Sequence, residues 1–169
     1  MALPNWWQIT TPHRDIREGR LSEAIFAADL GDVAFGKAPI EYKDATTFFQ
    51  KTFLTQGLKN LLENVLSRLS GGKGDPVIQL QTPFGGGKTH ALLTLYHVVK
   101  NREKIKHLEV FSKFPEPENT KVVVFVGTQA DPLNGRTPWG EIAHQLGVYR
   151  LVKEHDEKRL SPGKEVLNE

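Results

Sequence analysis

No cysteine occurs among the 169 residues, which excludes disulfide frameworks, cysteine-ligated zinc sites and thiol nucleophiles together. Also missing is any apolar run approaching the roughly 18 residues that cross a bilayer. The opening "MALPNWWQITTPHRD" lacks the basic-then-apolar layout of a secretory leader. No membrane partner is expected, and the default expectation is a cytoplasmic address. An excess of one charge is lacking too: 22 Lys and Arg against 20 Asp and Glu leave +2, too balanced to mark a nucleic-acid partner despite a pI of 8.8. What is present is an ordinary globular composition, 38% hydrophobic and 25% charged, over a length that suits one domain or a piece of one.

Residues 1–20 carry no clear period, and Trp6 and Trp7 read as packing anchors. "LSEAIFAADLGDV" offers Ser22 as a helix cap, with Ile25, Phe26 and Leu30 at near-helical spacing. "FGKAPIEY" reads as a loop, and Asp44 as the cap of a helix through "ATTFFQKTF". In "TQGLKNLLENVLSRLSGG", Leu58, Leu61, Leu62, Val65, Leu66 and Leu69 form one apolar stripe that Gly71 and Gly72 end.

"PVIQLQ" then reads as a short buried strand, "KTHALLTLYHVVKN" as a helix apolar on most faces, and "KVVVFVGTQ" as a second strand. Strand, helix and strand in succession predict a βαβ unit, hence an α/β fold with a parallel sheet flanked by helices. "RTPWGEIAHQLGVYRLV" starts a further helix with Thr137 as cap and Pro138 at its first position, placing Trp139, Ile142, Ala143, Leu146 and Tyr149 on one face. The tail "KEHDEKRLSPGKEVLNE" is charged and has little to bury, and its run "EHDEKR" reads as a solvated helix face or linker.

Between the first expected strand and its helix lies "TPFGGGKTH", residues 82–90. A phosphate cradle needs backbone N–H groups converging on an anion, a helix amino end behind them, a lysine for the terminal phosphates and a hydroxyl for Mg²⁺. Gly85, Gly86 and Gly87 supply the first, the helix from Lys88 the second, Lys88 the third and Thr89 the fourth. Against G-x-x-x-x-G-K-[ST], the departure is Thr82 in the opening glycine position; Pro83, with its fixed φ, and the adjacent Gly85 and Gly86 offer another route through the turn. The expected nucleotide site is Thr82, Pro83, Phe84, Gly85, Gly86, Gly87, Lys88, Thr89 and His90, with ATP and Mg²⁺ as ligands and Thr89 on the metal.

His90, in the first helical turn, reads as a packing or supporting residue rather than a ligand. His13, His97, His107, His144 and His155 share no ligand spacing, so no zinc site is expected. Asp131 sits too far past the apolar run to serve as the Mg²⁺-holding acid of a strand end and reads as a turn aspartate before Pro132, whereas Thr128 and Gln129 are candidate polar contacts at the sheet edge. No catalytic residue is assigned.

"LSEAIFAADLGDV", "FFQKTFLTQGLKNLLENVLSRLSG", "VIQLQTPFGGGKTHALLTLYHVVK", "VVVFVGTQ" and "RTPWGEIAHQLG" resemble the large AAA+-like ATPases of bacteria and archaea grouped as domain of unknown function four-ninety-nine, across most of residues 21–147. The "TPFGGGKTH" form, threonine included, is similar to that family's own loop. The resemblance implies ATP binding on Gly85 to Thr89 in an incomplete P-loop ATPase core of AAA+ type, with self-association as in AAA+ rings and a partner in DNA processing, modification or defence. It divides the chain into a helical extension (1–43), the amino-terminal half of the core (44–152) and a charged tail (153–169) leading toward a strand ending in Asp-Glu that family members carry and this sequence does not reach. ATP hydrolysis belongs to the full-length family, and this chain alone is expected to be inactive. Two other readings stay open: a compact small-molecule kinase, which lacks an arginine-rich lid here, and a non-catalytic interaction module with a vestigial loop. A GTPase is disfavoured by the absence of Asn-Lys-x-Asp.

Overall fold

The computed structural model describes residues 3–20, 28–83 and 85–168, and over these the regular elements are helical. They are α1 (Trp6–Ile9), α2 (Arg14–Arg17), α3 (Leu30–Ala34), α4 (Ile40–Lys43), α5 (Ala45–Gln50), α6 (Gln56–Leu69), α7 (Lys88–Lys100), α8 (Arg102–Ile105), α9 (Pro138–Gln145), α10 (Lys153–Glu157) and α11 (Lys164–Leu167), with 3₁₀ turns at Glu109–Phe111 and Tyr149–Leu151. The expected helix start at Ser22, with Ile25 and Phe26, lies outside the described residues, as does Phe84.

Local chemistry sets the helix starts. The Asp44 carboxylate accepts from the Thr47 N–H at 2.8 Å and its hydroxyl at 2.9 Å, opening α5 as expected, although α5 ends at Gln50 rather than running on through Phe53. The Thr55 hydroxyl accepts from the Leu58 N–H and opens α6, and Gly71, with φ of +81°, turns the chain out of it while its N–H donates to the Arg68 carbonyl. Thr137 caps α9 through the Gly140 N–H, with Pro138 following.

Helix α7 is the hub. It packs on α3, α6 and α8, and its Leu93 and Val98 meet Leu62 and Leu66 of α6, Phe48 and Phe49 of α5, Ile105 of α8 and Phe111 in one apolar cluster. Phe49 and Phe111 stack edge to face with centroids 4.7 Å apart. Wholly buried His97 lies within this cluster, its Nε2 2.7 Å from the Tyr42 carbonyl oxygen and its Nδ1 3.1 Å from the Asn101 amide nitrogen. The carbonyl can only accept, so Nε2 carries the proton and Nδ1 accepts from Asn101: a neutral imidazole with both nitrogens occupied. Burial lowers its pKa, in keeping with that form.

The expected α/β architecture is overturned. Among the described residues there is no strand, and therefore no parallel sheet and no βαβ unit. In "PVIQLQ", Val77 is 83% exposed, so this run is not a buried strand at all. In "KVVVFVGTQ" Val124 is buried and Val122 and Val126 pack against the core, as an apolar run should, but among the described residues no ladder joins it to a second segment. Instead the side-chain amide of Gln145 from α9 accepts from the Val124 N–H at 3.0 Å and donates to its carbonyl at 2.7 Å, taking the place of a neighbouring strand. An apolar, β-favouring run reports which side chains are buried, whereas a ladder needs a partner backbone about 4.8 Å away, which local sequence does not specify.

Other expectations need correction too. "FGKAPIEY" contains α4 rather than only loop. Trp6 and Trp7 are 70% and 60% exposed and pack edge to face on each other at 5.8 Å, so they do not anchor the core. Of the tail, Asp156 and Pro162 are buried, so the charged run is no simple solvated face.

Candidate functional site

The glycine loop leads directly into α7. Gly85 and Gly87 both have φ of +78°, in the left-handed region that residues with a Cβ avoid, and Gly87 is the N-cap of α7. No side chain caps this helix start, so its first N–H groups point into the loop, where the helix dipole favours an anion. Lys88 and Thr89 occupy the first turn, with Thr89 exposed.

Thr82, the residue in place of the opening glycine, organises the loop. The Lys88 ammonium donates to the Thr82 carbonyl at 2.9 Å, to its hydroxyl at 3.1 Å and to the Pro83 carbonyl at 3.2 Å. A Cβ on Gly86 would lie 2.2 Å from the Thr82 hydroxyl oxygen and 2.5 Å from its Cβ, so the middle glycine is required by the threonine beside it. The Gly86 N–H donates to the Pro83 carbonyl at 3.1 Å and closes the turn.

His90, which lines the groove beside the loop, has its ring tied to α5 and to Thr52 just beyond it. Its Nε2 is 3.2 Å from the Thr52 hydroxyl, its ring lies 4.8 Å from that of Phe48, and burial lowers its pKa. Asp131 forms a turn, accepting from the N–H groups of Leu133 at 2.9 Å and Asn134 at 3.1 Å; these bonds and that from the Asn134 amide hold its pKa low. It lines a different cavity, with Arg136, Glu141 and His144. The Gln129 amide donates to Asp29 at 3.0 Å, and a Cβ on Gly31 would lie 2.6 Å from its oxygen, so Gln129 ties residues 29–31 in place. Among the described residues no group of His, Asp and Glu side chains is arranged to hold a metal.

A groove of about 480 Å³ adjoins the loop, shared between Gly86, Gly87 and Lys88 at one end and Phe53, Leu58 and Leu80 along its walls. Sequence reasoning missed it. Leu58 was legible only as part of the α6 stripe, and Phe53 only as the last residue of the helix expected through "ATTFFQKTF".

Fold and loop together define a helical protein in which a glycine turn delivers a lysine and a threonine to the start of a core helix, a geometry that suits anions. The chain belongs to the DUF499 family: the DUF499 N-terminal domain matches residues 9–123, a stretch that includes the loop and all of α7. No curated protein and no solved structure matches the chain. Among the described residues no helix is long and apolar enough to cross a membrane.

Proposed function

We propose that this chain binds ATP with Mg²⁺ through residues 82–90, as the nucleotide-binding amino-terminal portion of a larger cytoplasmic ATPase that works in DNA processing or defence. The observation that supports this most is the pair of left-handed glycines, Gly85 and Gly87, directly before the uncapped start of the 13-residue α7. Positive-φ glycines allow successive backbone N–H groups to turn toward one anion, and a helix start adds its own at low reorganisation cost. Lys88 supplies a cation for the β and γ phosphates, exchanging its bonds to Thr82 and Pro83 for charge-assisted ones. The Thr89 hydroxyl, exposed in the same helical turn, is the residue that would hold Mg²⁺, whose role when bound is to offset charge between the phosphates.

Calorimetry with Mg-ATP tests this reading. Lys88→Ala removes the loop's cation and is expected to weaken binding by about 2 kcal/mol or more. Equal affinity in wild type and variant, or no binding by either, leaves the loop as a structural turn.

A further inference from the structure

Phosphates call for amides and cations, not for an apolar wall, yet the glycine loop opens directly onto one. The groove that Gly86, Gly87 and Lys88 share with the loop is walled by Phe53, Leu58 and Leu80, and Phe53 is 83% exposed at its side. Its volume of about 480 Å³ falls in the range of small-molecule sites. The polar side chains lining it are already committed within the protein. The Thr55 hydroxyl caps α6, the Thr82 hydroxyl is shared between Lys88 and the Pro83 carbonyl, and His90 Nε2 is turned to the Thr52 hydroxyl. Among the described residues lining the groove there is no Asp, Glu, Asn or Gln to read the edge of a base.

We propose that this groove seats the heterocyclic base of the bound nucleotide by stacking and dispersion, with Phe53 as its platform, and does not read the base's hydrogen-bonding edge. The site then takes purine nucleoside triphosphates with little choice between adenine and guanine, and holds pyrimidines less well because their smaller rings stack over less area. This rests on the phosphate reading of the loop and adds to it the identity of the rest of the ligand. Base stacking on aromatic side chains is tolerant of base identity, because every base offers a π face while only an edge distinguishes one from another.

The test compares Mg-ATP, Mg-GTP, Mg-CTP and inorganic tripolyphosphate by calorimetry on wild type, Phe53→Ala and Gly57→Leu. Gly57 lines the groove, and a Cβ there would meet only the Thr55 hydroxyl oxygen, at 3.9 Å, so the position has room for a side chain beside the groove. Wild type is expected to bind ATP and GTP within about threefold of each other, and both about tenfold more tightly than tripolyphosphate. Both variants are expected to lose that increment while binding tripolyphosphate as wild type does, which also shows that they are folded. ATP binding no tighter than tripolyphosphate, ATP binding unchanged by both variants, or a preference for one purine above tenfold each overturns the proposal while leaving the phosphate site intact. Failure of tripolyphosphate and ATP alike to bind wild type overturns the phosphate reading and this proposal together.

Discussion

Asp156 holds Thr137 from 19 residues further along the chain: its Oδ1 accepts from the Thr137 N–H at 2.7 Å and from the Thr137 hydroxyl at 2.5 Å. The other carboxylate oxygen accepts from the Tyr149 hydroxyl at 2.9 Å. Thr137 in turn caps α9, and Gly140 lies so close that a Cβ there would come within 2.3 Å of the carboxylate. Asp156→Ala strips two donors of Thr137 of their partner and is expected to cost on the order of 2 kcal/mol or more, read as a lower denaturation midpoint. Burial pushes the Asp156 pKa up, but the bonds from Thr137 and Tyr149 outweigh it and leave the group lowered overall. The contribution is therefore fully present above about pH 4, where the unfolded carboxyl ionises, and is lost as pH falls through the lower folded value. The stability difference between wild type and Asp156→Ala is expected to shrink on acidification below that point, and a difference that stays constant down to strong acid contradicts the assignment.

Thr82 and Gly86 form a second pair whose roles interlock. Gly86→Ala places a methyl group against the Thr82 side chain and is expected to distort the loop, abolishing nucleotide affinity if residues 82–90 form the site. Combining it with Thr82→Gly removes the two closest atoms, and the next is the Pro83 carbonyl oxygen at 3.1 Å. The double variant is expected to recover part of the loss, with a coupling energy of about 1 kcal/mol or more in a double-mutant cycle. Strict additivity of the two substitutions shows that the two residues are independent.

Turnover follows a different expectation from binding. No Asp or Glu lines the groove beside the loop, and the Asp131 carboxylate is spent on its own turn in another cavity. Without a carboxylate to orient water, in-line attack on a positioned γ-phosphate is left to solvent. Phosphate release by this polypeptide is expected to be no faster than by Lys88→Ala, even with saturating Mg-ATP. Robust turnover that Lys88→Ala abolishes makes Asp131→Asn the next variant to measure.

Local signals were legible wherever the chemistry is local. The caps at Asp44 and Thr137, the stripe of α6, the extent of α7 and the position of the glycine loop all follow from residues within a few positions of one another. The turn role of Asp131 and the packing role of His90 were legible for the same reason. Long-range pairing was not. The apolar run at residues 122–126 marks side chains that the core takes up, but carries no information on whether a second backbone or the Gln145 side chain satisfies Val124.

By itself, the sequence determined that no thiol chemistry is available, that a glycine loop carrying Lys88 and Thr89 precedes a buried helix, and that the chain shares a family's patterns. These depend on composition and on spacing along one segment. Tertiary structure alone decided that the apolar runs form no sheet among the described residues, that Thr82 and Gly86 exchange the bulk between them, that Phe53 and Leu80 meet the loop at one groove, and that Asp156 holds α9. Each of those depends on how groups approach one another in the folded chain, which composition and spacing along one segment do not encode.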